Sequence, residues 1–394
     1  MRTQRQLFLQ HNAQTSTEPL LLEFVSAKGM YLYDTTGRKY LDLIAGIGVS
    51  NVGHCHPDVV EAVKKQAETY MHIMVYGEFV QSPQVDFATA LANVLPPSLQ
   101  CTYFVNSGTE AVEGAMKLAK RYTGRAEIIA CYNSYHGSTQ GALSLMGNED
   151  YKQAYRPLLP GVSFMRYNEL EDLEMITDQT AAVFIETVQG EAGIRIADEA
   201  YFKALRAKCT QTGCLLVMDE IQCGFGRTGK MFGFQHYGIE PDILLLAKGI
   251  GGGMPIGAFI SSQQIMSSLT TNPILGHITT FGGHPVSCAA GLATLRSIEK
   301  ENIVDGVEEK SALFEQLLKH PSIRSLRRKG LMIAVEFDSF ETNKKVIDAC
   351  IDDGLITDWF LHCSNSMRIA PPLIITEEEI RSACGIILKN CPLA

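Results

Sequence analysis

The chain has 394 residues, 43 of them acidic and 34 basic, for a net charge of −9, with 46% hydrophobic and 20% charged residues. That is the balance of a globular chain long enough for two or three domains, and its acidic excess argues against non-specific binding to nucleic acid or an anionic membrane, both of which need a positive field. Eleven cysteines scattered without a CxxC pair read as reduced thiols in a cytoplasmic protein, and the longest apolar runs are strand-sized, far short of the roughly 20 residues that span a bilayer.

In chain order, the first clear element is a hairpin over residues 31–41, turning at Asp34–Gly37. From residue 101 short apolar runs predict strands at 101–105, 127–132, 162–166, 181–186, 215–219, 242–247 and 257–260, with amphipathic helices such as 109–122 and 198–210 between some of them. Several of these runs are continuously hydrophobic, which fits strands covered on both faces. The C-terminal part predicts helices at 286–299 and 310–319, short strands at 331–337 and 367–369, and a last helix opened by a capping box of Thr376 and Glu379. The expected fold is α/β: a mostly parallel seven-stranded central sheet with helices on both faces, in a large domain of residues 51–285. A smaller α+β domain is expected from both chain ends, 1–50 and 286–394.

Three places carry chemistry. Asn106-Ser107-Gly108-Thr109-Glu110-Ala111 follows a predicted strand and opens a predicted helix. Ser107 or Asn106 is able to cap that helix, and its free N–H groups and dipole suit an anion, phosphate above all, as well as an ordinary capped turn. Asp219 ends the apolar run from Leu215, at the sheet edge where α/β folds bind ligands. A carboxylate there needs a partner: a cationic ring nitrogen, a metal, an arginine, or the N–H groups of the next turn. Lys248 ends the apolar run from Leu244 and enters the glycine-rich segment 249–253. A lysine in a dry site sheds its proton readily and becomes an amine nucleophile, whereas one at a surface snorkels outward. Read together, the three describe a ligand with a phosphate, a cationic ring nitrogen for Asp219 and an aldehyde for Lys248, which is pyridoxal 5′-phosphate. The spacing of Asp219 and Lys248 suits the ends of neighbouring strands joined by one crossover.

Other patterns fall short. The run Gly224-Phe225-Gly226-Arg227-Thr228-Gly229-Lys230 starts like a P-loop, but Met231 stands where Ser or Thr must hold magnesium; it is the only support for a nucleotide enzyme. His54-Cys55-His56 offers metal-type ligands without a second pair, so no metal site is expected. No Ser-His-Asp arrangement stands out.

With those residues in hand, the chain resembles the class III aminotransferases, pyridoxal-phosphate enzymes of fold type I, and in particular the ornithine, acetylornithine and putrescine aminotransferase group. The motifs are Gly53-His54-Cys55-His56-Pro57, Asn106 to Ala111, Tyr135-His136-Gly137, Glu186-Thr187-Val188-Gln189-Gly190-Glu191, Asp219-Glu220-Ile221-Gln222, Ala247-Lys248-Gly249, Thr279-Thr280-Phe281-Gly282-Gly283 and Arg368-Ile369-Ala370-Pro371-Pro372. The resemblance implies that Lys248 is the Schiff-base lysine and then moves the proton, and that Asp219 pairs with the pyridinium nitrogen. It implies that Gln222 contacts the ring's phenolic oxygen and that Ser107, Gly108 and Thr109 hold the phosphate. Tyr135 would stack on the ring with His136 beside it, and Glu186 would belong to the same cofactor site. Thr280 matches the phosphate contact supplied by the partner subunit, which implies a homodimer with shared active sites.

Glu191 and Arg368 resemble the family's switch pair, in which the arginine takes a carboxylate of glutamate or 2-oxoglutarate and is otherwise masked by the glutamate. Arginine suits that task because its fork grips a carboxylate with two bonds. Two departures bear on the donor. Ser138 stands where many ornithine and acetylornithine enzymes have an arginine, and Ile47 where the ornithine type has a tyrosine. Both remove grips for an α-carboxylate. The expectation is a ping-pong aminotransferase moving an amino group from a terminal-amine donor (ornithine, acetylornithine, diamine or ω-amino acid type) to a 2-oxo acid acceptor, 2-oxoglutarate. A same-fold aminomutase or decarboxylating transferase is the rival, and Glu191 with Arg368 argues against it.

Overall fold

The computed structural model describes residues 2–392. Its centre is a seven-stranded sheet in the order Cys101–Val105, Gly257–Ser261, Ile243–Ala247, Leu215–Asp219, Thr180–Glu186, Glu127–Cys131, Val162–Met165. All seven expected strands are present, each within one residue or so of its predicted bounds. Only Gly257–Ser261 runs antiparallel to its neighbours. The 248–256 segment before it is too short for the dozen or so residues that a parallel crossover needs, so the chain turns straight back.

The continuous hydrophobicity of the strands has a two-sided cause. Along Leu215–Asp219, Leu215 and Val217 face one core cluster with Ala111, Ala115 and Met116 of the Gly108–Thr123 helix. Leu216 and Met218 face another with Tyr201, Phe202 and Leu205 of the Glu199–Thr212 helix. Alternate side chains thus feed opposite faces, both sealed. The Gly108–Thr123 helix seats closely on the sheet at Gly114, where a β-carbon would collide with the Phe259 ring.

The predicted hairpin is strands Tyr31–Asp34 and Lys39–Asp42. Asp34 shapes its turn by accepting the N–H groups of Thr36 at 2.9 Å and Arg38 at 3.0 Å. Its sheet continues through Lys39–Asp42 to Leu355–Ile356, so both chain ends share one sheet. A further four-stranded sheet contains Met332–Glu336 and Cys363–Ile369 in antiparallel register, with Asp358–Phe360 on the far side of the latter. The capping box at Thr376 and Glu379 opens the Glu377–Asn390 helix as predicted.

Arg227 ties these parts together. It is fully buried and donates to Asn51 Oδ1 at 2.7 Å, to the Leu331 carbonyl at 3.1 Å and to the Pro371 carbonyl. Burial pulls its guanidinium down to about 9. Replacing it by an apolar residue leaves three buried acceptors without a donor, each worth about 1–3 kcal/mol. Arg227→Leu is therefore expected to destabilise the protein by at least ~2 kcal/mol, read as a lower urea midpoint.

Candidate active site

Four parallel strands end around one cavity of about 500 Å3, lined by residues that follow or close them: Asn106, Glu186, Asp219 and Lys248. This is the carboxyl edge of the sheet, where neighbouring strand ends leave a crevice. The predicted spacing holds, since Leu215–Asp219 and Ile243–Ala247 are adjacent and parallel.

The Gly108–Thr123 helix begins at the cavity. Ser107 caps it by accepting the Glu110 N–H at 3.3 Å, and Glu110 in return accepts from Asn106 N at 2.7 Å and Asn106 Nδ2 at 2.8 Å. The turn is thereby fixed with the remaining N–H groups of Gly108 and Thr109 turned to an anion-favouring position. Gly257 presses on this turn from the antiparallel strand. A β-carbon there would collide with the Ser107 carbonyl oxygen.

Asp219 is 4% exposed. Its Oδ1 accepts the Ile221 N–H at 2.9 Å and its Oδ2 lies 2.7 Å from His136 Nδ1. The carboxylate accepts here, so Nδ1 carries the proton. Burial opposes charge on His136, but the bond to Asp219 and the charges of Asp219 and Glu186 outweigh it and hold the imidazole above its ordinary value. His136 Nε2 is buried without a partner. Glu186 accepts the N–H groups of Tyr135 at 3.0 Å and Gly190 at 2.9 Å. Burial pushes its carboxyl up to about 7, with His136 pulling the other way. Lys248 follows its strand in the left-handed region at φ 49°. Burial pulls its ammonium below the ordinary lysine value, although Glu191 opposes this.

Arg368 and Glu191 form a fork-to-fork pair, Nη1 to Oε1 and Nη2 to Oε2, each at 2.9 Å. Burial pushes Glu191 up, but Arg368 pulls harder and brings it down to about 2. Glu191 also accepts from Gln222 Nε2 at 3.2 Å and from the Leu361 N–H at 3.1 Å.

Of the predicted site residues, Ser107, Gly108, Thr109, Tyr135, His136, Ser138, Glu186, Glu191, Asp219, Gln222 and Lys248 all line the 500 Å3 cavity. Ile47 and Arg368 line an adjoining one that shares Tyr135, Glu191 and Lys248 with it. Thr280 lines neither and is exposed on its own chain. His136 was expected beside the ring with Tyr135; its observed partner is Asp219, a pairing across the sheet edge that carries no sequence signal. Asp358 was missed: its Oδ1 lies 3.0 Å from Arg368 Nε. His54 and His56 go to separate carboxylates, Asp42 at 2.7 Å and Glu301 at 3.0 Å. The P-loop-like run ends in no helix start, and its Arg227 is the buried tie described above.

The arrangement fits pyridoxal 5′-phosphate. A capped helix start stands ready for the phosphate, an enclosed carboxylate braced by an imidazole for a ring nitrogen, and an amine with a lowered proton affinity for the aldehyde. Fold and site define a pyridoxal-phosphate-dependent transferase. The family description "Aminotransferase class-III" matches residues 12–390, and the chain belongs to that family of transaminases. It is 44% identical to an acetylornithine aminotransferase of Methanocaldococcus jannaschii, over 90% of each chain. It is 40% identical to that of Caldanaerobacter subterraneus subsp. tengcongensis, over 94% of each. Among solved structures, a transaminase from the marine bacterium Virgibacillus superposes with a TM-score of 0.93 at 27% identity, covering 99% of this chain and 98% of that one. The ornithine aminotransferase of Toxoplasma gondii gives 0.90 at 30% identity, covering 99% and 95%.

Two predictions follow from this geometry. Gly257→Ala is expected to push the Ser107 turn aside at an overpacking cost of about 1–3 kcal/mol; titrating apo protein with pyridoxal 5′-phosphate and following absorbance should show cofactor affinity reduced by roughly tenfold or more. The second is a pH effect. Glu186 binds its proton more tightly folded than unfolded, with a carboxyl at about 7 against an ordinary 4.5. Its contribution to stability is therefore greatest below pH 4.5 and lost as pH rises to about 7, a change of ~3 kcal/mol for the apo protein. Denaturation across that window should show a stability curve less steeply falling with pH in Glu186→Gln than in the wild type.

Proposed function

We propose that this class III aminotransferase moves an amino group from a donor that reacts through a terminal amine to 2-oxoglutarate, by ping-pong exchange at one site. The observation that carries the reading is the buried, two-bonded Arg368–Glu191 pair beside Lys248. When bound, pyridoxal 5′-phosphate supplies the electron sink that lets a proton leave carbon. Asp219, braced by His136, would keep the ring nitrogen charged. The Ser107–Thr109 turn would hold the phosphate, Tyr135 would cover one ring face, and Gln222 would reach the phenolic oxygen. Lys248, with its proton affinity lowered by burial, would carry the proton between carbon atoms as a base already in place.

Arg368 would serve the acceptor. A 2-oxoglutarate carboxylate makes the same two bonds as Glu191 and would displace it, while in the donor half-reaction Glu191 would mask the arginine. Ser138 and Ile47 in the cavity leave an α-carboxylate without a grip beside Lys248. The names of the two curated relatives agree with this reading, since the free amine of acetylornithine lies at the end of its side chain.

A second copy of the chain would complete the site. Val80, Ile274 and Met71 are 94%, 78% and 63% exposed, and Ile278 and Phe281 flank Thr280 on the same exposed segment. Covering this apolar surface would carry Thr280 to the partner's phosphate turn. All eleven cysteines are unpaired, which supports a reducing, cytoplasmic setting. Among the described residues no helix is long and apolar enough to cross a membrane.

The test is a spectral titration of the holoenzyme with a donor panel, followed by acceptors. Terminal amines are expected to bleach the visible band and 2-oxoglutarate to restore it. Arg368→Lys, which loses the fork, should raise the KM for 2-oxoglutarate by about tenfold or more and leave bleaching by the donor in place. A clear preference for ordinary α-amino acids, or restoration by monocarboxylic oxo acids alone, would contradict the reading.

A further inference from the structure

The cavity that adjoins the cofactor site, about 710 Å3, extends from Lys248 towards Trp359 and Ile351. Its charges are matched in two places. Arg368 is spanned by Glu191, and Lys344 Nζ lies 2.6 Å from both oxygens of Asp348. With Lys248 given to the cofactor, no cation of the described lining is left free for a carboxylate at the far end of a donor.

Two acids of the described lining are left over, Glu18 and Asp358: Glu18 lies on an exposed loop, whereas Asp358 is partly enclosed and stands beside Arg368. Asp358 Oδ1 lies 3.0 Å from Arg368 Nε, an ion pair without the alignment of a hydrogen bond. That guanidinium is already neutralised by Glu191, so the three groups together are net negative. Asp358 Oδ2 takes no hydrogen bond among the described residues, and the side chain lies on the cavity wall with 28% exposure. Its position is fixed by the sheet. Asp358 stands opposite Arg368 in antiparallel register, and the neighbouring Thr357 hydroxyl donates to the Arg368 carbonyl at 2.6 Å.

We propose that Asp358 reads the far end of the amino donor: its free carboxylate oxygen accepts a second ammonium group, so that the site takes α,ω-diamines in preference to donors that end in a carboxylate. This rests on the terminal-amine reading above. A pre-positioned carboxylate in a partly enclosed site makes a charge-assisted bond to an ammonium, and the same charge repels a carboxylate, so one residue supplies both attraction and exclusion. The discrimination operates while Glu191 covers Arg368, which is the donor half-reaction. The acceptor meets Arg368 only after Glu191 has left it.

The experiment uses holoenzyme and single half-reactions with 1,4-diaminobutane, butylamine, 4-aminobutanoate and N-acetylornithine, in wild type, Asp358→Asn and Asp358→Glu. Wild type is expected to favour the diamine over butylamine by roughly tenfold or more in kcat/KM. Asp358→Asn should bring that ratio to within about threefold of unity, and Asp358→Glu should restore part of it. Butylamine, which cannot use Asp358 in this way, is the internal measure of an intact fold. A wild-type preference for 4-aminobutanoate or N-acetylornithine, or a diamine preference that survives in Asp358→Asn, overturns the proposal while leaving the terminal-amine reading standing. If no amine bleaches the cofactor, that reading falls. Calorimetric binding of 1,4-diaminobutane against butylamine then still decides Asp358: equal affinities in wild type overturn its role, and a diamine advantage lost in Asp358→Asn supports it.

Discussion

Enclosed charge that must be matched is the constraint on which this structure depends. Asp219, Glu186, Glu191, Lys248 and Arg368 stand around two adjoining cavities that share Glu191 and Lys248, away from most of the water that would otherwise stabilise them. A lone ionised group there is costly, and the chain answers by pairing. Asp219 is held by His136 and a backbone N–H, Glu186 by two backbone N–H groups, and Glu191 by Arg368. Lys248 is the exception. It has charged neighbours but no direct partner among them, and burial lowers its proton affinity. That is the property an amine needs to act first as a nucleophile and then as a base. The same burial that makes acids near it hard to ionise makes this amine easy to deprotonate.

The backbone carries strain at the same edge. Lys248 and Ile47 both lie in the left-handed region, at φ 49° and 66°. For a β-branched residue such as Ile47 this is costly, of the order of 1–3 kcal/mol, and it persists only because the surrounding structure holds it. Both residues line the cavity next to the cofactor site. The short return from Lys248 to Gly257 adds a mechanical link, because the strand it feeds abuts the Ser107 turn. The lysine and the strand that abuts the phosphate turn thus lie on one short stretch of backbone.

Thr180–Glu186, Leu215–Asp219, Ile243–Ala247 and Gly257–Ser261 were legible because they are buried along their whole length, which writes a nearly unbroken apolar run, whereas Val162–Met165 at the sheet edge, with Ser163 exposed, carries a weaker one. Where an element lacks that signature the sequence is silent. Ser325–Lys329 is a strand of Ser-Leu-Arg-Arg-Lys at a sheet edge, half-buried throughout, and its charges conceal it. The helix expected at 310–319 is Val307–Leu317, because Glu308 and Glu309 favour a start just after Gly306. At the site, residue types were readable and pairings were not. Lys248, Asp219 and the Ser107 turn announce themselves by standing at the ends of apolar runs. His136 and Asp219 are joined only by the order of strands in the sheet. Asp358 sits on a three-residue strand too short to show a period, and it meets Arg368 through register alone.

The two acids on Arg368 are not equivalent, and this difference makes the proposed exchange plausible in mechanical terms. Glu191 occupies both terminal nitrogens, the face that an incoming carboxylate needs, and comes from a loop after the Thr180–Glu186 strand. Asp358 reaches only Nε, from a short side chain on the adjacent strand. When Glu191 leaves, the guanidinium remains held by Asp358, by the Trp359 carbonyl at 3.2 Å and over the Phe360 ring at 4.7 Å from its centroid. The fork thus stays in place while its partner changes, so an acceptor meets a preset geometry and loses less entropy on binding. The departure also releases Gln222, whose amide donates to Glu191 in the masked state. On the proposed mechanism the residue assigned to the ring's phenolic oxygen and the residue that masks the arginine are mechanically coupled, which ties the state of the carboxylate site to the state of the cofactor site.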